Sequence, residues 1–175
     1  MERTLIVFCH PALEKSRTNR ALIEGVADLD GVTVSDLYER YPDFLIDVKR
    51  EQDQLVEHER IVWQFPLFWY STPSLMKEWM DVVFQYGWAY GRGGNALAGK
   101  RVKAVVTTGA DAGSYTAEGF NGHTVRDLLL PLERSARMCG MEFAEPLVFY
   151  DALKLDGGGL ARAVADYRKW LKEGD

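Results

Sequence analysis

The sequence predicts an α/β fold, a parallel sheet of five strands with helices on both faces. Two observations carry this. Short, β-branched apolar runs alternate with stretches of helical spacing along the whole chain, and each run ends in polar, proline or glycine punctuation of the kind found where a buried strand stops. Five strand–helix units in that alternation place crossover helices on both faces of one sheet. The bounds are compatible: 175 residues fit one domain, residues 1–175, and 47% hydrophobic residues allow a substantial core. A chain of this size can bury roughly 70% of its unfolded surface without disulfide or metal staples.

In chain order, residues 3–9 form the first strand, and residues 31–38 alternate like a strand nearer an edge. Residues 59–65, "ERIVWQF", are the third strand, ended by Pro66, and residues 102–108 are the fourth. Residues 143–150, "FAEPLVFY", are the fifth, with Pro146 a reservation because it cannot donate to a ladder. Helices are expected over residues 19–27, 47–57, 73–84, 125–138 and 160–171. The third of these puts Leu75, Met76, Trp79, Val82 and Val83 on one stripe.

Composition excludes several roles. A net charge of −5 argues against nucleic acid or an anionic membrane as the main partner. Cys9 and Cys139 have no zinc-type spacing, so no metal site is expected, and a reducing cytoplasm fits best. "MERTLIVFCHP" is too short and too soon broken by Pro11 to be a signal peptide, and no run approaches a membrane span. Residues 94–101, "GNALAGKR", nearly match a phosphate-binding P-loop. However, Arg101 stands where a hydroxyl should hold magnesium, and the segment leads into a strand instead of following one.

In doubly wound sheets, ligands bind beyond the carboxyl ends of the strands, where strand order switches. Three loops fall there. "CHPALEKSRTNRAL" follows the first strand. His10, Ser16, Arg17, Thr18 and Asn19 offer ring, hydroxyl, guanidinium and amide donors at a helix start, which suits a phosphate; simple helix capping is the alternative. "PLFWYSTP" follows the third strand. Three consecutive aromatics between prolines must expose ring faces and backbone N–H groups, as a planar heterocycle needs. "TTGADAGSY" follows the fourth, its small residues letting amides approach a ligand edge. A phosphate seat, an aromatic clamp and an amide-lined edge on one rim describe a flavin mononucleotide site.

The blocks "HPALEKSRTN", "LYERYPDFLID", "VWQFPLFWYSTPSLMKEWMDVVFQYGWAYGRGG", "LAGK", "VVTTGA" and "MCGMEF" make nearly the whole chain resemble the flavodoxin-like NAD(P)H:quinone oxidoreductases. Within that family it is most similar to the ancillary subunits of bacterial glutathione-regulated potassium-efflux systems. The resemblance implies a three-layer α/β/α fold with strand order 2-1-3-4-5. It also implies ping-pong hydride transfer from NAD(P)H through FMN to a quinone. On this reading His10 and Ser16, Arg17, Thr18 and Asn19 hold the phosphate and ribityl end. Pro66, Leu67, Phe68, Trp69 and Tyr70 pack on the ring, and Thr107, Thr108, Gly109 and Ala110 face its other edge. The amides of Thr108 and Gly109 would stabilise negative charge there. Tyr115 matches a tyrosine that manages charge on the reduced ring. The companion histidine position holds Asn121, with His123 two residues on, and Asn cannot carry a proton. FMN is expected in preference to FAD, because the chain ends soon after the fifth strand and its helix. A homodimer is also implied, with Tyr90 reaching the partner's acceptor pocket. Residues 84–94, rich in aromatics and glycine, with Met138 and Met141 suit that interface. The alternative role is regulatory: a cytoplasmic subunit, peripheral at the inner membrane, that activates a potassium-efflux antiporter.

Overall fold

The computed structural model describes residues 2–173. Strands β1 (Thr4–Phe8), β2 (Val32–Asp36), β3 (Arg60–Pro66) and β4 (Arg101–Thr107) are joined by two short strands, β5 (Glu142–Phe143) and β6 (Leu147–Phe149). The sheet order is β2-β1-β3-β4-β5, with β6 also on β4, and every pairing is parallel. The expected order 2-1-3-4-5 is therefore the one found. Helices are α1 (Arg17–Glu24), α2 (Leu37–Arg40), α3 (Val48–Glu57), α4 (Ser74–Val83), α5 (Val125–Leu128), α6 (Leu130–Met138) and α7 (Gly157–Glu173).

Side chains on the central strands alternate between two cores. Leu5, Val7, Ile61, Trp63, Phe65, Ala104 and Val106 face α3, α4 and α6, and Ile6, Phe8, Val62 and Val105 face α1 and α7. Both faces are dry, which is why these strands read as continuous apolar runs. Gly25 closes α1 where it meets α7. A Cβ there would lie 2.4 Å from a Val164 methyl, so only glycine allows this approach.

The structure corrects three sequence readings. The predicted fifth strand is two strands, because Pro146 has no N–H to give and the ladder pauses between Ala144 and Leu147. The predicted helix over 125–138 breaks at Leu129, whose ψ of 1° leaves the helix two residues before Pro131. Continuing it would drive the proline ring into the carbonyl of Asp127. The second strand ends at Asp36, whose carboxylate accepts from Tyr38 N–H at 3.0 Å and Glu39 N–H at 3.2 Å and starts α2. No helix among the described residues is long and apolar enough to cross a membrane.

A candidate flavin cleft at the carboxyl edge

The carboxyl ends of β1, β3 and β4 open into a cleft of about 680 Å³, part of it open to solvent. Its lining brings together His10, Ser16, Arg17, Thr18 and Asn19 with Pro66, Leu67 and Phe68 and with Thr107, Thr108 and Gly109. Residues of three loops far apart in sequence meet because the parallel register ends all three strands at one edge.

At the β1 loop, a 3-10 turn over Leu13–Lys15 delivers Ser16 as the N-cap of α1, its hydroxyl oxygen accepting from Asn19 N–H at 3.3 Å. Asn19 is buried, and its amide donates to Ser16 Oγ and to Thr107 Oγ1, both at 3.0 Å, pinning the helix start to the end of β4. Thr18 donates its hydroxyl to the Ala152 carbonyl, and Arg17 turns its guanidinium to the Leu155 carbonyl. What remains for an anion is more specific than the sequence suggested. The backbone N–H groups of Arg17 and Thr18 have no acceptor among the described residues. They point out of a helix start carrying partial positive charge. His10 completes this end. Its Nδ1 accepts from Ala12 N–H at 3.1 Å, so the neutral ring carries its proton on Nε2. Burial pushes its pKa below the ordinary 6.5. Cys9, directly beneath, is buried and its thiol is pushed up to about 12, which makes it inert.

The β3 loop is a tight hairpin turn. Phe68 N–H bonds to Ser71 carbonyl and Ser71 N–H to Phe68 carbonyl, each at 3.0 Å. The two central residues are Trp69 with φ 49° and Tyr70 with φ 63°. This turn type normally takes Asn-Gly, because both central residues must be left-handed. Two bulky aromatics held there carry strain of the kind that collects at functional sites. The strain puts Trp69 in solvent, 93% exposed, on the outer rim with Tyr70, while Phe68 sits edge-on to His10 at 6.0 Å. Leu67 N–H is committed to the Thr107 carbonyl at 2.9 Å, whereas the Trp69 and Tyr70 amides have no acceptor among the described residues.

In the β4 loop, Thr108 N–H donates to Phe149 carbonyl at 3.0 Å, so it is not available to a ligand. Gly109 N–H has no acceptor among the described residues, and a Cβ built on Gly109 would meet nothing within 4 Å. Ala110 lies just beyond the lining; its carbonyl accepts from the Thr108 hydroxyl at 2.8 Å and from Asp151 N–H at 3.0 Å.

Trp69, Tyr70 and Ala110 fall outside this lining, and three further sequence candidates lie away from it. Tyr115 ends a 3-10 turn capped by Asp111 and is 9% exposed; its ring is 6.0 Å from that of Tyr150, and burial, Tyr70 and Tyr150 raise its phenol above 10.0. Asn121 is half-buried in the following loop, its N–H bonded to the Ser114 carbonyl at 3.0 Å, and His123 beside it is exposed. Tyr90 lines a second groove, of about 920 Å³, with Met80, Phe84, Leu132, Met138 and Cys139 between α4 and α6. Met138 is exposed there, but Met141 is 4% exposed in the core, which removes it from the expected interface. The sequence reading missed Lys15, Ala152 and Leu153, which also line the cleft. Ala152 and Leu153 follow β6 at the same edge, so the rule that named the other three loops would have found them.

This fold and edge site define a flavodoxin-like protein, and the comparison with known families agrees. Residues 2–171 match the model of the family described as having a flavodoxin-like fold, and the chain belongs to it. Among its relatives, the potassium-efflux ancillary protein KefG of Yersinia enterocolitica is 44% identical over 170 residues, 97% of this chain and 92% of that one. General stress protein 14 of Bacillus subtilis is 43% identical over 168 residues, 94% of this chain and 96% of that one. Among solved structures, a chain described as a thermophilic tryptophan halogenase from Streptomycin violaceusniger superposes with a TM-score of 0.95 at 42% identity, covering 98% of this chain and 99% of that one. General stress protein 14 of Treponema denticola, solved in complex with FMN, has a TM-score of 0.92 at 37% identity over 97% of this chain and 98% of that one. An NADPH-quinone reductase of P. pentosaceus has a TM-score of 0.90 at 30% identity, with 99% of each chain covered. These names do not agree on one activity.

Proposed function

We propose that the cleft holds FMN and that the protein is an NAD(P)H:quinone oxidoreductase. The observation that carries this reading is a set of uncommitted amides at one cleft: Arg17 and Thr18 at a helix start and Gly109 in its lining, with those of Trp69 and Tyr70 just outside the lining, next to Phe68. The first pair, with the Ser16 hydroxyl and His10 Nε2–H, suits a phosphate. The others suit the polar edges of a flat ring whose faces meet Leu67, Phe68 and Trp69. The FMN-bound relative and the quinone reductase neighbour support the same assignment. When bound, FMN supplies two-electron transfer between reduced nicotinamide and a quinone-type acceptor. The chain's own groups bind it, exclude water from one face and steady charge at its edges. Rapid mixing of the anaerobic FMN-loaded protein with NADPH, then with a quinone, tests this. The flavin band should bleach and return; a flavin that neither NADPH nor NADH reduces contradicts it.

The alternative, an ancillary subunit that binds and activates a potassium-efflux antiporter, is supported by the KefG relative. It would place the protein in the cytoplasm, against the inner membrane through its partner. Co-purification with the antiporter tests it. For assembly, we propose a homodimer through the apolar groove that Tyr90 and Met138 line. Tyr90→Ala should then weaken quinone reduction while reduction by NAD(P)H stays near normal. Full activity in a monomer at micromolar concentration contradicts the shared site.

A further inference from the structure

The segment between β6 and α7, residues 151–156, walls the end of the cleft at which α1 starts. Its Ala152 and Leu153 line that end together with Ser16, Arg17 and Thr18. The segment is tied on two sides. Towards β4, Asp151 N–H donates to the Ala110 carbonyl at 3.0 Å and Ala152 N–H to the Thr108 carbonyl at 2.8 Å. Towards α1, the carbonyls of Ala152 and Leu155 accept the Thr18 hydroxyl and the Arg17 guanidinium. Within the segment, Lys154 returns to Asp151 twice, its N–H to the carbonyl and its Nζ to Oδ1, each at 2.8 Å. Asp156 then accepts from Gly159 N–H at 2.7 Å at the start of α7. Asp151 itself stands at φ 51°, a left-handed conformation that costs a non-glycine residue energy and persists only where its surroundings impose it.

These ties decide what the helix start has left to give. Thr18 and Arg17 carry the side chains that a longer anion would recruit beyond its first phosphate, and both are committed to the segment. The donors that remain are the N–H groups of Arg17 and Thr18, the Ser16 hydroxyl and His10 Nε2–H. We propose that residues 151–156 set the length of the cofactor: held by Thr18 and Arg17, the segment ends the site after one phosphate, so the cleft takes a flavin mononucleotide and turns away a flavin dinucleotide. This rests on the flavin reading of the cleft. A terminal phosphate monoester presents three acceptor oxygens at one point and uses the remaining donors fully. A phosphate esterified on both sides offers fewer oxygens, and its second substituent meets carbonyl oxygens and the Leu153 side chain, neither of which can donate to it. Lys15, exposed at the same mouth, adds a charge that solvent screens and no fixed donor.

The test measures the Kd of FMN and of FAD by calorimetric titration of the flavin-free, full-length protein and of two variants. Leu153→Gly removes the apolar side chain at this end, and because Leu153 is 83% exposed the core is untouched. Thr18→Val removes the tie to Ala152 and keeps the helix-start N–H. The native protein should prefer FMN by about a hundredfold or more, the combined size of a hydrogen bond to a charged group and a neutral one. Each variant should narrow that preference about tenfold through tighter FAD binding, the size of one such bond. If Thr18→Val does not fold, Leu153→Gly alone decides. Equal affinity for FMN and FAD in the native protein overturns the proposal and leaves the flavin reading standing, as does a preference that neither variant narrows. Narrowing that comes only from weaker FMN binding overturns it too, because the segment would then be part of the phosphate seat and not its stop. A native protein that binds neither flavin removes the flavin reading and the proposal with it.

Discussion

Trp69→Asn should make the protein more stable and its flavin site worse. Trp69 sits at φ 49° and is 93% exposed. A left-handed conformation costs a bulky L-residue roughly 1–2 kcal/mol, and Asn is one of the few residues that tolerate it. The burial given up is small. A tryptophan side chain can bury up to about 250 Å², and with 7% of it covered here the loss is roughly 0.4 kcal/mol at about 25 cal/mol/Å². The net gain is about 1 kcal/mol, or roughly 2–4 °C in Tm for a chain of this size. On the proposed reading, in which the indole covers the bound ring, the same change removes an aromatic contact of a kind that contributes about 0.5–1.5 kcal/mol beyond area. FMN affinity should fall by up to about tenfold. Thermal melts of the flavin-free protein and FMN titration by fluorescence quenching read the two effects separately. If Trp69→Asn lowers Tm, the turn is not strained as described. If stability rises but FMN binds as tightly as before, the indole is not part of the cleft.

Ser16→Asp should keep the fold, since Asp caps α1 as well as Ser does, but weaken FMN binding. At ~4 Å and an effective dielectric of ~20 the added repulsion with the phosphate is about 4 kcal/mol before screening, and titration of the flavin-free variant measures it. Glu51 is fully buried and accepts from the Tyr41 hydroxyl at 2.8 Å, Trp79 Nε1–H at 2.9 Å and Arg40 at 3.3 Å. Glu51→Ala strands all three donors and should cost about 3–5 kcal/mol in urea unfolding; a loss below about 1 kcal/mol would show that the network adds nothing. His10 titrates below 6.5 in the fold because burial disfavours its cation, so as pH falls the unfolded chain takes the proton first. Its contribution to stability is present above that ordinary value and is lost as pH drops through the lower folded value. His10→Asn should flatten the decline in Tm over that window, and an unchanged decline would assign it to other groups.

The sheet was readable because both its faces are dry, so Leu5–Phe8, Ile61–Phe65 and Val102–Val106 are apolar whichever way each side chain points, with Gln64 and Lys103 the two buried polar residues in them. The loops that meet at the edge followed from strand order alone. Their commitments did not. Thr18 spends its hydroxyl on Ala152 and Thr108 its N–H on Phe149, partners distant in sequence that no local pattern announces. The hairpin at Trp69–Tyr70 was illegible for the opposite reason: its sequence argues against the turn it adopts. Pro131 and Pro146 were visible, and each broke an element that periodicity had joined.

The central claim is that this edge cleft is built for FMN. Mass spectrometry of the flavin released from the purified protein, with its stoichiometry from absorbance, tests it most directly. The account predicts FMN at about one per chain, lost in parallel with Ser16→Asp. FAD at full stoichiometry, or a protein that takes up no flavin from excess FMN, would contradict it.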